Sequence, residues 1–134
     1  MSIDAIRSGL ATNLATISGL RTAAEIPDNP SPPIAVVQLR SIDYDQAFQK
    51  GLAVYTFVVT VIVGRSAERE AQRRLNDYSD NTGSSSVKTA IQSDRTLGGS
   101  AFDCRVVSLD NIGSLQLNDA AYLAAEFTVT AYAN

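Results

Sequence analysis

Between Leu52 and Val63 six apolar side chains, Ala53, Tyr55, Phe57, Val59, Val61 and Val63, occupy alternate positions without a polar break, while Thr56 and Thr60 mark the intervening set. A period of two sustained this far is the pattern of a β-strand with one face wholly buried. Such a strand cannot stand alone: it needs strands beside it and a covering layer over its apolar face. The C-terminal segment repeats the demand, with Leu123, Ala125, Phe127, Val129 and Ala131 on one side and Tyr122, Ala124, Glu126, Thr128, Thr130 and Tyr132 on the other.

The covering layer is readable as helices. Ile3, Ile6, Leu10, Leu14 and Ile17 recur at steps of three and four and form one stripe of an amphipathic helix, with Ser2 as N-cap, Asp4 at the positive end of the dipole and Gly19 as terminator. A second helix is predicted from Ser66 to Tyr78, with Ser66 as N-cap, Glu68 in the first turn and Ala67, Ala71, Leu75 and Tyr78 facing inward. A short third helix follows Ser84–Ser86 and runs to Asp94, with Val87, Ala90 and Ile91 inward, before Leu97-Gly98-Gly99 turns the chain into a strand over Ala101–Leu109. In that strand Phe102, Cys104 and Val106 are placed on the core side.

Pro27-Asp28-Asn29-Pro30-Ser31-Pro32-Pro33 fixes four φ angles and removes four backbone donors, so it reads as a stiff connector after a short strand at Arg21–Ile26. Ile34–Tyr44 and Leu52–Val63 then form a long hairpin around Asp45–Gly51, part of which is expected to project beyond the sheet. The expected fold is α+β: one domain over residues 1–134, a single largely antiparallel sheet, and an N-terminal helix and central helix pair on one face.

With 134 residues, only one core fits. The chain has no histidine or tryptophan and a single cysteine, Cys104, which removes Ser-His-Asp and Cys-His catalysis, His-ligated zinc and an intrachain disulfide framework. A net charge of −3 argues against a dedicated nucleic-acid binder. The longest apolar stretch, about 13 residues, falls short of the roughly 20 needed for a membrane-spanning helix. Met1-Ser2-Ile3-Asp4 lacks the basic-then-apolar order of a secretory signal, and a cytoplasmic site of synthesis is expected. No cofactor or metal is expected.

The candidate chemical motifs resolve into structural ones. Leu97-Gly98-Gly99-Ser100 could offer N–H groups to an anion, but reads as a helix C-cap and turn. Asp77, Asp80 and Asn81 with Gly83 lack the alternate acidic spacing and terminal Glu of a calcium loop. Asp43 and Asp45 share one side of a strand, a conceivable acid pair that is better read as a solvated hairpin rim. Cys104 reads as a buried, inert thiol.

The arginines carry more. Arg65, Arg69 and Arg73 recur every four residues and are predicted to form a ridge on one helix face, with Glu70 placed to pair with Arg74. Two readings stand: a solvated face, or a protein interface in which arginine meets carboxylates such as Asp28, Asp43, Asp45 or Asp119 of a second copy. The latter contact is heterologous and can close into a ring. Tyr44 and Phe48 near the hairpin tip are candidate docking groups.

Pro32-Pro33-Ile34-Ala35-Val36-Val37, the strand Tyr55–Gly64 feeding Glu68–Leu75, the segment Ala90–Gly99 and the closing strand Tyr122–Ala133 occur in an order that resembles tail terminator proteins of long-tailed bacteriophages, those of actinobacterial phages in particular. The resemblance covers nearly the whole chain; its motifs are not catalytic signatures, and their succession carries it. It implies a non-enzymatic virion protein that forms a ring, expected to be a hexamer, on the head-proximal end of the tail tube. The ring would stop tube polymerisation and present the surface for head and neck attachment. The implied partners are other copies of the chain, the tail tube protein and a neck or head-completion protein, with room for genome DNA to pass but no sequence-specific nucleic-acid binding. Assembly would occur in the host cytoplasm. A neck or head-tail connector ring component is the alternative within this class, and a small enzyme or ligand-binding domain using Asp43/Asp45 or Gly98/Gly99 is the alternative outside it.

Overall fold

A computed structural model describes residues 2–23, 25, 32–44, 52–117 and 120–133. Ten elements follow in order: helix α1 (Ile3–Leu14), strands β1 (Arg21–Ala23), β2 (Ile34–Asp43) and β3 (Ala53–Arg65), helices α2 (Arg69–Ser79) and α3 (Val87–Ile91), 3-10 turns at Gln92–Asp94 and Leu97–Gly99, and strands β4 (Asp103–Leu117) and β5 (Ala120–Ala133). The strands form one sheet in the order β1-β2-β3-β5-β4. All neighbours are antiparallel except β1 with β2, so the sheet is mixed and the α+β expectation holds.

The helices occupy one face. α1 lies over β2, α2 over β3 and β5, and α3 beside β4. The alternating residues of β3 supply the floor of this core: Phe57, Val59, Val61 and Val63 are fully buried, with Ala53 and Tyr55 nearly so, against Ile6, Leu10 and Leu14 of α1 and Ala71, Leu75 and Tyr78 of α2. At 25 cal/mol per Å², burying each of the larger side chains of this row contributes about 1.5–3 kcal/mol.

The opposite face carries no helix among the described residues. Its side chains form rows across four strands: Asp43/Val54/Tyr132/Asp103, then Ser41/Thr56/Thr130/Arg105, then Gln38/Val58/Thr128/Ser108, then Val36/Thr60/Glu126/Asp110. A small separate apolar cluster, Ile34, Ile62, Tyr122 and Ala124, closes this face at one end.

Several boundaries differ from the sequence expectation, each for a local reason. α1 keeps its Ser2 cap, whose Oγ accepts from the Ala5 N–H at 3.1 Å, but ends at Leu14 rather than near Gly19. The Thr16 N–H and hydroxyl both donate to the Asn13 carbonyl, which diverts the chain into a tighter turn while Ile17 still packs into the core. α2 starts at Arg69, not after Ser66: the Glu68 N–H bonds the Arg65 carbonyl, so residues 66–68 form a turn, Glu68 becomes the N-cap and Ala67 is exposed. α3 is only five residues long because Gln92–Asp94 tightens into a 3-10 turn.

β4 is longer than expected and runs to Leu117. Register shifts between Val106 and Ser108 and between Asp110 and Gly113 break its alternation, and these bulges hide the strand from pattern reading. Cys104 and Val106 face the core as expected, whereas Phe102 lies ahead of the strand and is 54% exposed. β2 and β3 pair antiparallel from Ile34↔Ile62 to Asp43↔Val54. Over the described residues both arms lie within the sheet; Asp45, Phe48 and the rest of the tip lie outside those residues.

Candidate functional site

The arginines converge at one end of the sheet, though not as a single helical ridge. Arg65 is the last residue of β3, and only Arg69, Arg73 and Arg74 stand on α2. The guanidinium of Arg65 lies 5.9 Å from the ring centroid of Tyr122, its cross-strand partner on β5, within cation–π range. Arg74 turns back toward the sheet, and its Nη1 donates to the Val63 carbonyl at 3.3 Å. Glu70 therefore pairs with Arg73, at 3.5 Å, instead of with Arg74.

Gly64 sets how closely these elements approach. The register shift between Ile62 and Gly64 places Gly64 under α2, where a Cβ would lie 3.1 Å from the Ala71 Cβ and 3.2 Å from Glu68 Oε2. The result is a cleft of about 250 Å³ lined by Pro32, Gly64, Arg65, Glu68, Arg74 and Tyr122. α2 starts here without a side-chain cap. Arg69, in the first turn at that positive end of the helix dipole, is electrostatically unfavourable in isolation, and together with the exposed Arg73 one turn on it makes the corner receptive to carboxylates.

Asp43 and Tyr44 lie at the other end of the sheet. Eleven residue steps along β3 separate Val54, the partner of Asp43, from Arg65, about 36 Å at 3.3 Å per residue. Asp43 is exposed in the terminal row, and Tyr44 is 69% exposed. Arg65, Arg69 and Arg73 are thus not brought together with Asp43 and Tyr44 within one molecule. α2 repeats the polarity, with Arg69 at its start and Asp77 near its end, followed by Asp80.

The other motifs are structural. The Gly98 N–H donates to Asp94 Oδ2 at 2.9 Å and the Gly99 N–H to the Thr96 carbonyl at 2.9 Å, so the glycine pair's amides are already engaged. Gly98 and Gly99 take φ values of 67° and 93°, which explains the residue choice. Asp94 also accepts from the Thr96 hydroxyl at 2.8 Å, and these bonds hold its carboxyl below the usual range. The carbonyls of Asp80 and Asn81 accept from the Ser86 and Thr89 hydroxyls. Among the described residues no group of three carboxylate, thiol or imidazole side chains is placed to hold a metal. Cys104 is fully buried, and burial pushes its thiol up to about 11.

Sequence reasoning missed the Arg74–Val63 bond, because a helix-face argument assigns Arg74 to its own helix. It also missed the stacking of Arg65 on Tyr122, for which the apolar alternation of β3 running up to Arg65 was the available signal. Compared with protein families and with characterised proteins, the chain matches no family model and none of the characterised sequences.

Proposed function

We propose that the chain is a structural component of a bacteriophage virion, a tail terminator that assembles as a ring on the head-proximal end of the tail tube. In this reading it ends tube polymerisation and offers the attachment surface for the neck and head. The observation that carries the reading is the unlike pair of sheet ends: an arginine corner formed by Arg65, Arg69, Arg73 and Arg74, and a distant end bearing Asp43 and Tyr44. Complementary patches that cannot meet within one molecule can meet between copies, and a head-to-tail contact of that kind closes into a ring when its rotation closes. Helices confined to one face leave the other face of the sheet, rich in threonine and serine, for contact with what the ring surrounds or caps.

The segments that carry the resemblance to tail terminators lie on β2, β3, α2 and β5, and on the end of α3 with the 3-10 turns that follow it. The expected hexamer, the tail tube and neck partners, and the virion location follow from the same reading. Electron microscopy of the purified protein mixed with tail tubes tests it. Caps on tube ends are expected; bare tube ends with the protein elsewhere would refute it, and rings bound instead to a portal-side adaptor would assign it to the neck.

A further inference from the structure

β4 is the last strand of the sheet, and among the described residues no strand pairs with its outer side. It runs for 15 residues without a lysine or a proline, two of the means by which proteins keep such edges from pairing. The stretches outside the described residues join β1 to β2, β2 to β3 and β4 to β5 or lie at the chain ends, so none continues from the outer side of residues 105–110. That side is open to solvent: Arg105 and Asp110 are exposed and Val107 is 49% exposed, with exposed Phe102 and Ile112 flanking them. Of the four large apolar side chains exposed among the described residues, only Tyr44 lies elsewhere, so the exposed apolar surface is concentrated on this edge.

The charges along the edge have a symmetric order. Arg105, Ser108 and Asp110 stand opposite Thr130, Thr128 and Glu126 of β5 and follow one another at even steps on the sheet face opposite the helices. The bulge at Val107 sets this order, because without the extra residue Arg105 and Asp110 would point to opposite faces. Cation, hydroxyl and carboxylate in sequence are complementary to the same sequence reversed. A second copy laid antiparallel about an axis through Ser108 sets Arg105 against Asp110 of the other copy, twice over. On the helix side it sets Val106 against Leu109, both partly buried and apolar, and it brings Phe102 of one copy toward Ile112 of the other. Within one molecule neither charge has an ion-pair partner among the described residues, and Asp110 stands directly across from Glu126, a like-charge neighbour that a guanidinium from outside offsets. The Val106 N–H, turned outward to Gln92 Oε1 at 3.0 Å, marks where a backbone acceptor of the second strand would bind.

We propose that β4 pairs antiparallel with β4 of a second copy about a two-fold axis at Ser108, held by reciprocal Arg105–Asp110 ion pairs. The contact is isologous. It goes beyond the ring reading, stands on different residues, and joins two chains or two rings alike.

Sedimentation equilibrium of the purified chain tests it. Wild type at up to about 1 mM should contain a species of twice the mass of the unit that remains in Arg105→Asp, whether that unit is one chain or a ring. Arg105→Asp and Asp110→Arg should each weaken the doubling at least about tenfold. Their equimolar mixture should restore it, because one variant presents two carboxylates and the other two guanidiniums; the double variant Arg105→Asp/Asp110→Arg should restore it within one chain. Ser108→Cys should give a disulfide-linked dimer in oxidised glutathione. Thr56→Cys, on the same face but two strands from the edge, and the wild type with its buried Cys104 should not. No doubling at that concentration, doubling indifferent to the charge reversals, or single variants that stay apart when mixed would overturn the proposal. So would a Thr56→Cys variant that crosslinks as readily as Ser108→Cys.

Discussion

The side-chain amide of Asn13, buried on α1, donates to the carbonyl of Ile91 at 2.9 Å and to that of Asp94 at 3.0 Å, joining residues about 80 positions apart. Those carbonyls lie at the end of α3 and in the 3-10 turn after it, where helix ends leave acceptors without intrahelical partners. One side chain therefore satisfies two acceptors and locks the N-terminal helix to the α3 region. Asn13→Leu removes both donors while keeping similar bulk. A loss of about 1–3 kcal/mol is expected, chiefly from the buried Ile91 carbonyl, which keeps only the weak Cys104 Sγ contact at 3.8 Å, read as a lower urea midpoint at unchanged slope; a loss below about 0.5 kcal/mol would show that water takes over the role.

Gly9 sits where α1 crosses Leu97. A Cβ there would lie 2.6 Å from the Leu97 Cβ and 3.0 Å from its carbonyl oxygen, and real atoms do not approach so closely. Alanine is favoured over glycine in a helix by about 1 kcal/mol, but forcing this contact costs about 1–3 kcal/mol. Gly9→Ala should therefore fall in thermal stability despite its better helix propensity. Adding Leu97→Gly, which removes the Cβ that the new methyl strikes, should recover part of the Gly9→Ala loss in a double-mutant cycle.

Acid stability should rest in part on the turn before β4. Asp94 is held low by the Thr96 hydroxyl and the Gly98 N–H, and Asp103 by its two bonds to the Arg95 guanidinium at 2.7 and 3.0 Å. Folded values below the unfolded ones mean the stabilisation is fully present above about pH 4 and disappears as pH falls through the folded values. Denaturant midpoints measured from pH 7 down to pH 2.5 should drop in that window, and Asp94→Ala should flatten the drop while starting lower at pH 7.

The Cys104 thiol behaves oppositely. Its folded pKa is raised to about 11 by burial, so the fold favours the neutral thiol. That stabilisation is intact below the free-thiol value near 8.5 and is lost as pH rises toward the folded one. Stability should decline between these limits in the wild type and less so in Cys104→Ala. Alkylation by iodoacetamide at pH 8 should proceed only at the rate of unfolding.

Arg69 and Arg73 are exposed, so reversing both charges should barely alter the fold, within about 0.5 kcal/mol for surface substitutions. If the arginine corner contacts a neighbouring subunit, the double variant Arg69→Glu/Arg73→Glu should give smaller particles by native mass spectrometry and fail to cap tail tubes. Unchanged assembly would remove these residues from the interface. Arg65→Ala, by contrast, should cost about 0.5–1 kcal/mol through the lost stacking on Tyr122.

The sequence was most informative where a periodic demand was long and unbroken. The alternation from Ala53 to Val63, the matching run in the last strand and the stripe Ile6, Leu10, Leu14 each correspond to an observed core element. Interruptions carry less: bulges at Val107 and Asn111–Ile112 reverse which side chains of β4 face inward and hide its second half from pattern reading, and Ser66 is a plausible cap that the turn at Arg65–Glu68 pre-empts. The arginine ridge failed for a related reason. A four-residue spacing has meaning only inside a helix, and Arg65 belongs to a strand.

The sequence alone determined the α+β class, the inward row of the central strand and the exclusion of histidine-dependent and cysteine-cluster chemistry, because hydrophobic periodicity and residue inventory are local properties. Only the tertiary structure decided that Arg65 stacks on Tyr122, that Arg74 serves the Val63 carbonyl, that the arginines and Asp43 occupy opposite ends of the sheet, and that Asn13 ties α1 to the Ile91 carbonyl. Those relationships depend on strand order, register and bulges, which arise from packing between distant segments and leave no trace in the spacing of residues along the chain.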